Sequence, residues 1–577
     1  MRKIIYLFIL IFALGCSSKT QNTDLFHISV THFNDTHTTA QEMRETILFE
    51  NKKITIPVGG YARLINATEE LSHESNNIRL FAGDAFQKGN VFFEIYGADF
   101  DCKMLQMAKV DVMVLGNHEF DAGLDGLKKL LSCIKNTEHS IDVLAANLTF
   151  DQQEIAAQIK PYVIKTINGR KIGIAGLSVP NTSSISFIKG LGFKDSKETA
   201  ENIIKEMQAQ GVNIIIFITH QGFYDDIALA ESVKGIDLIV GGHSHTVQGD
   251  FSLLGIESEI ENYPYIIKHS DGNKTFIVTA SSKTKNIGFA NVYFDNNGNG
   301  IKFDGNSKML IGSTDYFYEN NPLPQKDKAL LTKTIKNNPS FLITDNNTAA
   351  KNTIDEFKNN IDPKWFKIKF TTSIDLKTLR DTNNHLNSIT TEGHSTLGVY
   401  QALSVMEKAH KSGYKLHTAL VNTGSLKRNL PSGDVTEWTF SESVPYNNQT
   451  VIFSIKGQHL IEELKKAIHR AITEDINAMP CLAKLKLKYT HNNSYDKSSI
   501  SEIFIYDDGS WKPFNLHENY TIAVSSFIFN GGDLYNFKEY GFNVINTNFT
   551  DKDAFSEYLN YKSPLQAIDD TITVEIP

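Results

Sequence analysis

An α/β fold is predicted for the first half of this chain by three observations. Short apolar runs rich in β-branched residues alternate with stretches of helical periodicity. Several of those runs are continuous, as strands buried on both faces require. Polar clusters of Asp, His, Asn and Gly then follow strand after strand, at the ends where an α/β sheet binds its ligands. The candidate strands are Phe26–Phe33, Ile78–Ala82, Val110–Leu115, Ile141–Ala145, Lys171–Leu177, Asn213–Thr219, Asp237–Val240 and Thr275–Ala280. Between them lie amphipathic stretches such as Gly123–Ile134, where Leu124, Leu127 and Leu131 fall at helical spacing. Gly288–Asp295 reads as a closing strand, and Asn296-Asn297-Gly298 as its turn.

The character changes at Tyr316. Residues 316–365 are rich in Asn and Lys, contain Pro322, Pro324 and Pro339, and show no sustained apolar period. A linker is expected there. Beyond it, helices are expected at Ser395–His410 and Gly457–Ile476; in the second, Leu460, Ile461, Leu464, Ala467, Ile468 and Ala471 mark one face. The Lys484-Leu485-Lys486-Leu487-Lys488 alternation fits a strand with one solvated face.

Composition bounds the function. The chain has 577 residues, a net charge of −9, 41% hydrophobic and 21% charged residues. That is a soluble globular composition with room for several domains. It excludes collagen, coiled coil and wholesale disorder. No apolar run reaches the roughly 20 residues of a membrane span. The acidic balance argues against a partner that is a nucleic-acid polymer, and no obligate protein partner is evident.

The first segment reads as an address. Arg2 and Lys3 precede the apolar run Ile4–Leu14, which ends at Gly15-Cys16-Ser17-Ser18. This is a secretory signal pattern. Gly15-Cys16 resembles the bacterial lipobox, which implies residues 1–16 as signal, a lipid on Cys16, a polar tether over 17–24, and an exported protein held at a membrane in the periplasm or at the cell surface. Export permits disulfides. With Cys16 set aside, Cys102, Cys133 and Cys481 remain: either one pair and a free thiol, or three buried thiols.

Five polar clusters carry the chemistry. They are Asn34-Asp35-Thr36-His37, Gly83-Asp84, Gly116-Asn117-His118-Glu119-Phe120-Asp121, Thr219-His220 and Gly241-Gly242-His243-Ser244-His245. Each follows a candidate strand, so all five can converge on one site. Imidazole and carboxylate suit zinc, manganese and similar divalent ions, and no thiolate is offered. Asp35 and His37, like His243 and His245, are two residues apart, a spacing that directs two side chains to one face. Gly83, Gly116, Gly241 and Gly242 let the backbone turn and approach closely. Neither a phosphate-binding G-x-x-x-x-G-K-[ST] loop nor a G-x-S-x-G nucleophile elbow occurs.

This ordered set resembles the calcineurin-like metallophosphoesterases, and its F-D extension resembles their 5′-nucleotidase branch, which includes UDP-sugar hydrolases. The resemblance implies a four-layer α-β-β-α metallophosphoesterase domain (25–315), the linker (316–365) and a C-terminal α+β substrate-binding domain (366–577). It implies two divalent metal ions, one held by Asp35, His37, Asp84 and His245, the other by Asp84, Asn117, His220 and His243, with Asp84 bridging. It implies a catalytic dyad of His118 and Asp121, in which His118 stabilises charge on the phosphoryl group or leaving oxygen and is not a metal ligand.

The second half resembles the family's nucleotide-binding domain at Val421-Asn422-Thr423-Gly424-Ser425-Leu426-Lys427, Pro445-Tyr446-Asn447-Asn448 and Phe527-Ile528-Phe529-Asn530-Gly531-Gly532-Asp533. Tyr446 and Phe527 match the aromatics that sandwich the base, Asp533 a ribose acceptor and Asn448 a contact to the base edge; Asn422 and Gly424 belong to the same pocket. Relatives place three arginines around the substrate phosphate. Here Arg380 matches the first, the second is lost in an insertion at Asp381–Glu392, and Lys427 stands for the third. Lysine is a point charge and cannot make arginine's bidentate fork. The expected activity is release of phosphate from nucleotides, most simply as a 5′-nucleotidase. The alternatives are a UDP-sugar hydrolase or 2′,3′-cyclic nucleotide phosphodiesterase of the same family, and, in another class, a non-catalytic nucleotide-binding surface lipoprotein.

Overall fold

The computed structural model describes residues 25–577 apart from 136–138, 181–184, 186–187, 320, 380–394, 474–475, 563–564, 566–571 and 576–577. The expected address and tether, with Cys16, lie outside the described residues, as do Arg380 and the 381–392 insertion.

Two sheets face each other in the first half. The larger runs through Phe26–Phe33, Asn77–Phe81, Val112–Val114 and Asp142–Leu144 as parallel neighbours. The smaller runs through Arg170–Leu177, Ile214–Thr219, Leu238–Val240 and Lys274–Val278, again parallel. Ile28, Val30, Leu80, Val112 and Leu144 of one sheet pack with Ile174, Ile216, Ile218, Leu238 and Val278 of the other. Strands buried on both faces have no solvated side to alternate, which explains their continuous apolar runs.

Helices cover the outer faces. Tyr61–Leu71, Ala98–Met107 and Gly123–Lys135 bury their apolar sides against the larger sheet. Ser196–Ala209 and Phe223–Ser232 do so on the smaller one. The result is the expected α-β-β-α stack. All eight candidate strands are present within two or three residues of their expected ends. Cys102 and Cys133 form a disulfide between two of the helices, and Cys481 is a buried free thiol.

Residues 316–365 are not an extended connector. Phe317–Tyr318 and Asn321–Pro322 join the larger sheet at one edge, and Phe341–Ile343 pairs in parallel with Gly300–Ile311. Helices Gln325–Lys336 and Thr348–Asn359 bury Leu331, Ile335, Ala350 and Ile354. Arg63 Nε donates to the Thr344 carbonyl at 3.0 Å, which locks the segment to the first domain. Each buried stripe here is only two residues long, too short to register as periodicity among so many Asn and Lys.

The second half is α+β, as expected. A five-stranded sheet has the order Pro480–Ala483, Thr418–Asn422, Asn519–Ser525, Gln449–Lys456 and Phe542–Thr550. Thr396–Lys411 and Gly457–Thr473 are its long helices, the first capped by the Ser395 hydroxyl, which accepts from Gly398 N. Leu485–Thr490 alternates buried and half-buried residues, as the Lys/Leu pattern foretold. Among the described residues no helix is long and apolar enough to cross a membrane.

Candidate metal centre

All five polar clusters meet at the carboxyl ends of the parallel strands. Asp35 and His37 leave Phe26–Phe33, Asp84 leaves Asn77–Phe81, and Asn117 leaves Val112–Val114. His220 leaves Ile214–Thr219, and His243 and His245 leave Leu238–Val240. Their side chains form three groups in which every donor atom lies within 4.8 Å of the others: Asp35/His37/His245, His37/Asp84/His118 and Asp84/His220/His243.

The loops are drawn together by their backbones. Asp35 N, His37 N and Thr38 N donate to the carbonyls of Gly83, Asp84 and Ala85 at 2.9, 3.1 and 2.8 Å. Asp35, His37, Asp84, His243 and His245 all have positive φ, a cost that ordinary side chains accept only where the surroundings enforce it. The glycines are there for space: a Cβ on Gly116 would fall 2.1 Å from Asp84 Oδ1, and one on Gly242 2.5 Å from the Ala82 carbonyl.

The donor atoms crowd one another. His37 Nε2 and His245 Nε2 are 2.8 Å apart. Asp35 Oδ1 lies 3.3 Å from His245 Nε2, 3.7 Å from His37 Nε2 and 3.8 Å from His220 Nε2. Asp84 Oδ2 lies 3.0 Å from His220 Nε2. Asp35 Oδ1, Asn117 Oδ1 and His220 Nε2 are buried with no hydrogen-bond partner. An unpaired buried polar atom costs about 1–3 kcal/mol. Cations satisfy such atoms together, and this nitrogen-and-oxygen donor set fits divalent ions. The far ring nitrogens are already engaged: His37 Nδ1 with the Phe86 carbonyl at 3.1 Å, and His220 Nδ1 with the Ala82 carbonyl at 2.6 Å. This is how metal-binding imidazoles are commonly oriented.

Electrostatics show what the site calls for. Burial resists charge on His220, yet Asp84 and Asp35 outweigh it and push its pKa up to about 10. Burial also raises Asp84, but His220 and His118 pull it well below the carboxylate range. His243 is lowered to about 4 by burial and by His220. The two carboxylates therefore demand positive charge.

His118 is oriented separately. Its Nδ1 sits 2.8 Å from Asp121 Oδ2, which also accepts from Lys88 N at 2.6 Å. Burial opposes the imidazolium, but Asp121 and Asp84 raise the His118 pKa above the ordinary range. One ring nitrogen of His118 also lies within 4.8 Å of donor atoms of His37 and Asp84.

Sequence reasoning missed Glu119. It is fully buried and accepts from Gly116 N, Ala85 N and Asp84 N at 2.6, 2.7 and 3.0 Å, tying two of the loops together. Burial and Asp84 push its pKa up to about 7. The residue stands inside the quoted G-N-H-E-F-D run. Only the short 3₁₀ turn His118–Phe120 directs it inward.

The second half reaches this centre. Pro445 packs on Gly89 so tightly that a Cβ there would overlap its ring, and Phe92 meets Trp438 edge-on at 5.8 Å. Lys427 stands over the Tyr446 ring at 5.3 Å, and its charge is felt by His118. Asn422 Nδ2 donates to Asp533 Oδ2 at 2.7 Å, with Asp533 in a left-handed conformation. Phe527 lies against Gly532, and Gly424 against Asn477. Asn448 exchanges backbone hydrogen bonds with Asp551, through the Asp551 carboxylate and the Asn448 carbonyl, at 3.1 Å each. Lys427 thus lies within electrostatic range of His118, while Asn422, Phe527 and Asp533 gather at one end of the five-stranded sheet.

Fold and site together define a metal-dependent phosphoester hydrolase. Residues 28–247 match the calcineurin-like phosphoesterase family and residues 380–539 the 5′-nucleotidase C-terminal domain, so the chain carries both domains. It is 26% identical over 541 residues to a probable 5′-nucleotidase of Treponema pallidum, covering 90% of this chain and 89% of that one. It is 24% identical over 550 residues to the NAD 5′-nucleotidase of Haemophilus influenzae, covering 92% and 90%. The crystal structure of a 5′-nucleotidase precursor from Thermus thermophilus superposes with a TM-score of 0.77 at 23% identity, over 95% of this chain and 99% of that one.

Proposed function

We propose that this protein is an exported 5′-nucleotidase that releases phosphate from nucleoside monophosphates with a pair of divalent metal ions. The observation that carries the reading is the meeting of two half-sites: a cluster of unpaired metal-capable donors, and a lysine–tyrosine pair of the second domain whose charge reaches His118. Asp35, His37, Asp84 and His245 would hold one ion, and Asp84, Asn117, His220 and His243 the other. Zinc, manganese or a similar ion fits these donors. Bound there, such a pair supplies Lewis acidity and makes water a competent nucleophile near pH 7.

The chain's own groups do the rest. Lys427, with Arg380, holds the substrate phosphate as positive charge. Tyr446 and Phe527 stack the base, a contact that tolerates different bases. Asp533, steered by Asn422, accepts from the ribose hydroxyls; Asn448 and Gly424 line the base and sugar. His118, oriented by Asp121, stabilises charge on the leaving oxygen as water displaces it in line. The apolar N-terminal run ending at Cys16 supports export and a lipid anchor in the periplasm or at the cell surface.

The test is phosphate release from AMP, UMP, UDP-glucose, ATP and 2′,3′-cyclic AMP with manganese or zinc, repeated in EDTA. Fast, chelator-sensitive turnover of AMP and UMP is expected. Preference for UDP-glucose or the cyclic nucleotide would reassign the substrate, and nucleotide binding without turnover in any metal would overturn the enzyme.

A further inference from the structure

Behind the Asp35–Thr38 loop lies a buried polar chain that the mechanism above does not use. Asp101, on the helix Ala98–Met107, is fully buried, and both of its carboxylate oxygens are taken. Oδ2 accepts from the Thr38 hydroxyl at 2.8 Å and Oδ1 from the Tyr61 hydroxyl at 3.0 Å. Tyr61 has one proton, spent on Asp101, so its oxygen accepts from Thr36 Oγ1, 2.7 Å away. Thr36, Thr38 and Tyr61 are each fully buried.

The chain therefore runs from Thr36 through Tyr61 to Asp101 and back to Thr38. It grips the residues on both sides of His37. The gripped loop is strained: Asp35, His37 and Thr38 have φ of 48°, 49° and 51°. Each such conformation is costly for an ordinary side chain and persists only where its surroundings over-determine it. Backbone hydrogen bonds to Gly83, Asp84 and Ala85 fix the loop's path. The hydroxyl clamp fixes the threonines that flank the imidazole.

We propose that Asp101 is a positioning residue for the metal pair: acting through Tyr61, Thr36 and Thr38, it sets the geometry of Asp35 and His37 and so the affinity of the ion they share with His245. The inference rests on the metal-binding reading above. It assigns a task to a carboxylate that touches neither metal ligand. Groups that orient metal ligands typically change affinity by about 10- to 100-fold when removed.

The test is titration of the metal-free protein with zinc or manganese by calorimetry, alongside thermal melting in EDTA. In Asp101→Asn, one of two binding events should weaken by about 10- to 100-fold while the other moves much less. Tyr61→Phe, which deletes one hydroxyl, should weaken the same event less, and it carries the test if Asp101→Asn does not fold. Asp237→Asn is the control. That carboxylate is half-buried and accepts from Ile215 N at 2.8 Å at the opposite end of the strand Leu238–Val240 from His243. It should lower metal-free melting and leave both affinities unchanged. Equal affinity loss in Asp237→Asn, or unchanged affinities in both Asp101→Asn and Tyr61→Phe, would overturn the inference. Absence of metal binding by the unaltered protein would instead remove the reading beneath it.

Discussion

The two half-sites of this molecule are built by opposite strategies. The metal-capable half is buried, and its loops are laced by backbone hydrogen bonds, by Glu119 and by positive-φ residues. The second half-site is more open: Lys427, Tyr446, Phe527 and Asp533 are each half-buried. The difference follows from the ligands. A metal ion needs several donors at fixed distances, so misplacement of any one is costly. A base needs only a π face, which tolerates displacement and exchange of one base for another.

Attacking the buried half should give the largest losses. Asp84→Asn removes the carboxylate shared between two donor groups, and phosphate release should fall by about 10³-fold or more, with metal stoichiometry reduced in calorimetry. A residual rate within tenfold of the unaltered protein would show that Asp84 is not shared. His118→Ala should reduce kcat by about 10²- to 10³-fold with little change in KM, since the imidazole acts on charge that develops during reaction. Steady-state kinetics separates the two parameters.

The open half should respond more mildly, and in binding. Lys427→Ala should lower kcat/KM by about 10- to 100-fold, the worth of a charged hydrogen bond, whereas Lys427→Arg should keep or improve it. Phe527→Ala should raise KM for AMP and UMP alike, by about 5- to 100-fold, as loss of stacking worth 1–3 kcal/mol implies. A purine-only effect would reveal a hydrogen-bonding role instead.

The smallest effect on activity should come from the Cys102–Cys133 disulfide, which closes a separation of 31 residues. Its removal as Cys102→Ala/Cys133→Ala should lower stability by about 3–4 kcal/mol, measured by denaturant unfolding, with kcat little altered at low temperature. A large loss of kcat would make the helix pair part of the metal geometry rather than its scaffold.

The sequence by itself determined much of the first half. Continuous β-branched runs announced the buried parallel strands, and Asp, His and Asn after each run announced the donors, because strand ends and donor types are both local properties. Tertiary structure alone decided what depends on distant partners. The hairpin of Met43–Phe49 and Lys52–Val58 joins the large sheet through pairings with Ile311 and Phe317. The 316–365 segment is drawn into the first domain by stripes too short to read. Three cysteines left two arrangements open until two helices brought Cys102 to Cys133. Glu119 sits inside a quoted cluster and Asp101 in none, and for both only packing shows that the side chain turns inward to hold the loops. Lys427 comes near His118 across 309 residues of chain (427 − 118) because Pro445 and Trp438 dock on the Gly89–Phe92 turn. Periodicity reports the environment of a residue's neighbours in sequence. Which distant loops share one pocket is settled by the packing of whole layers.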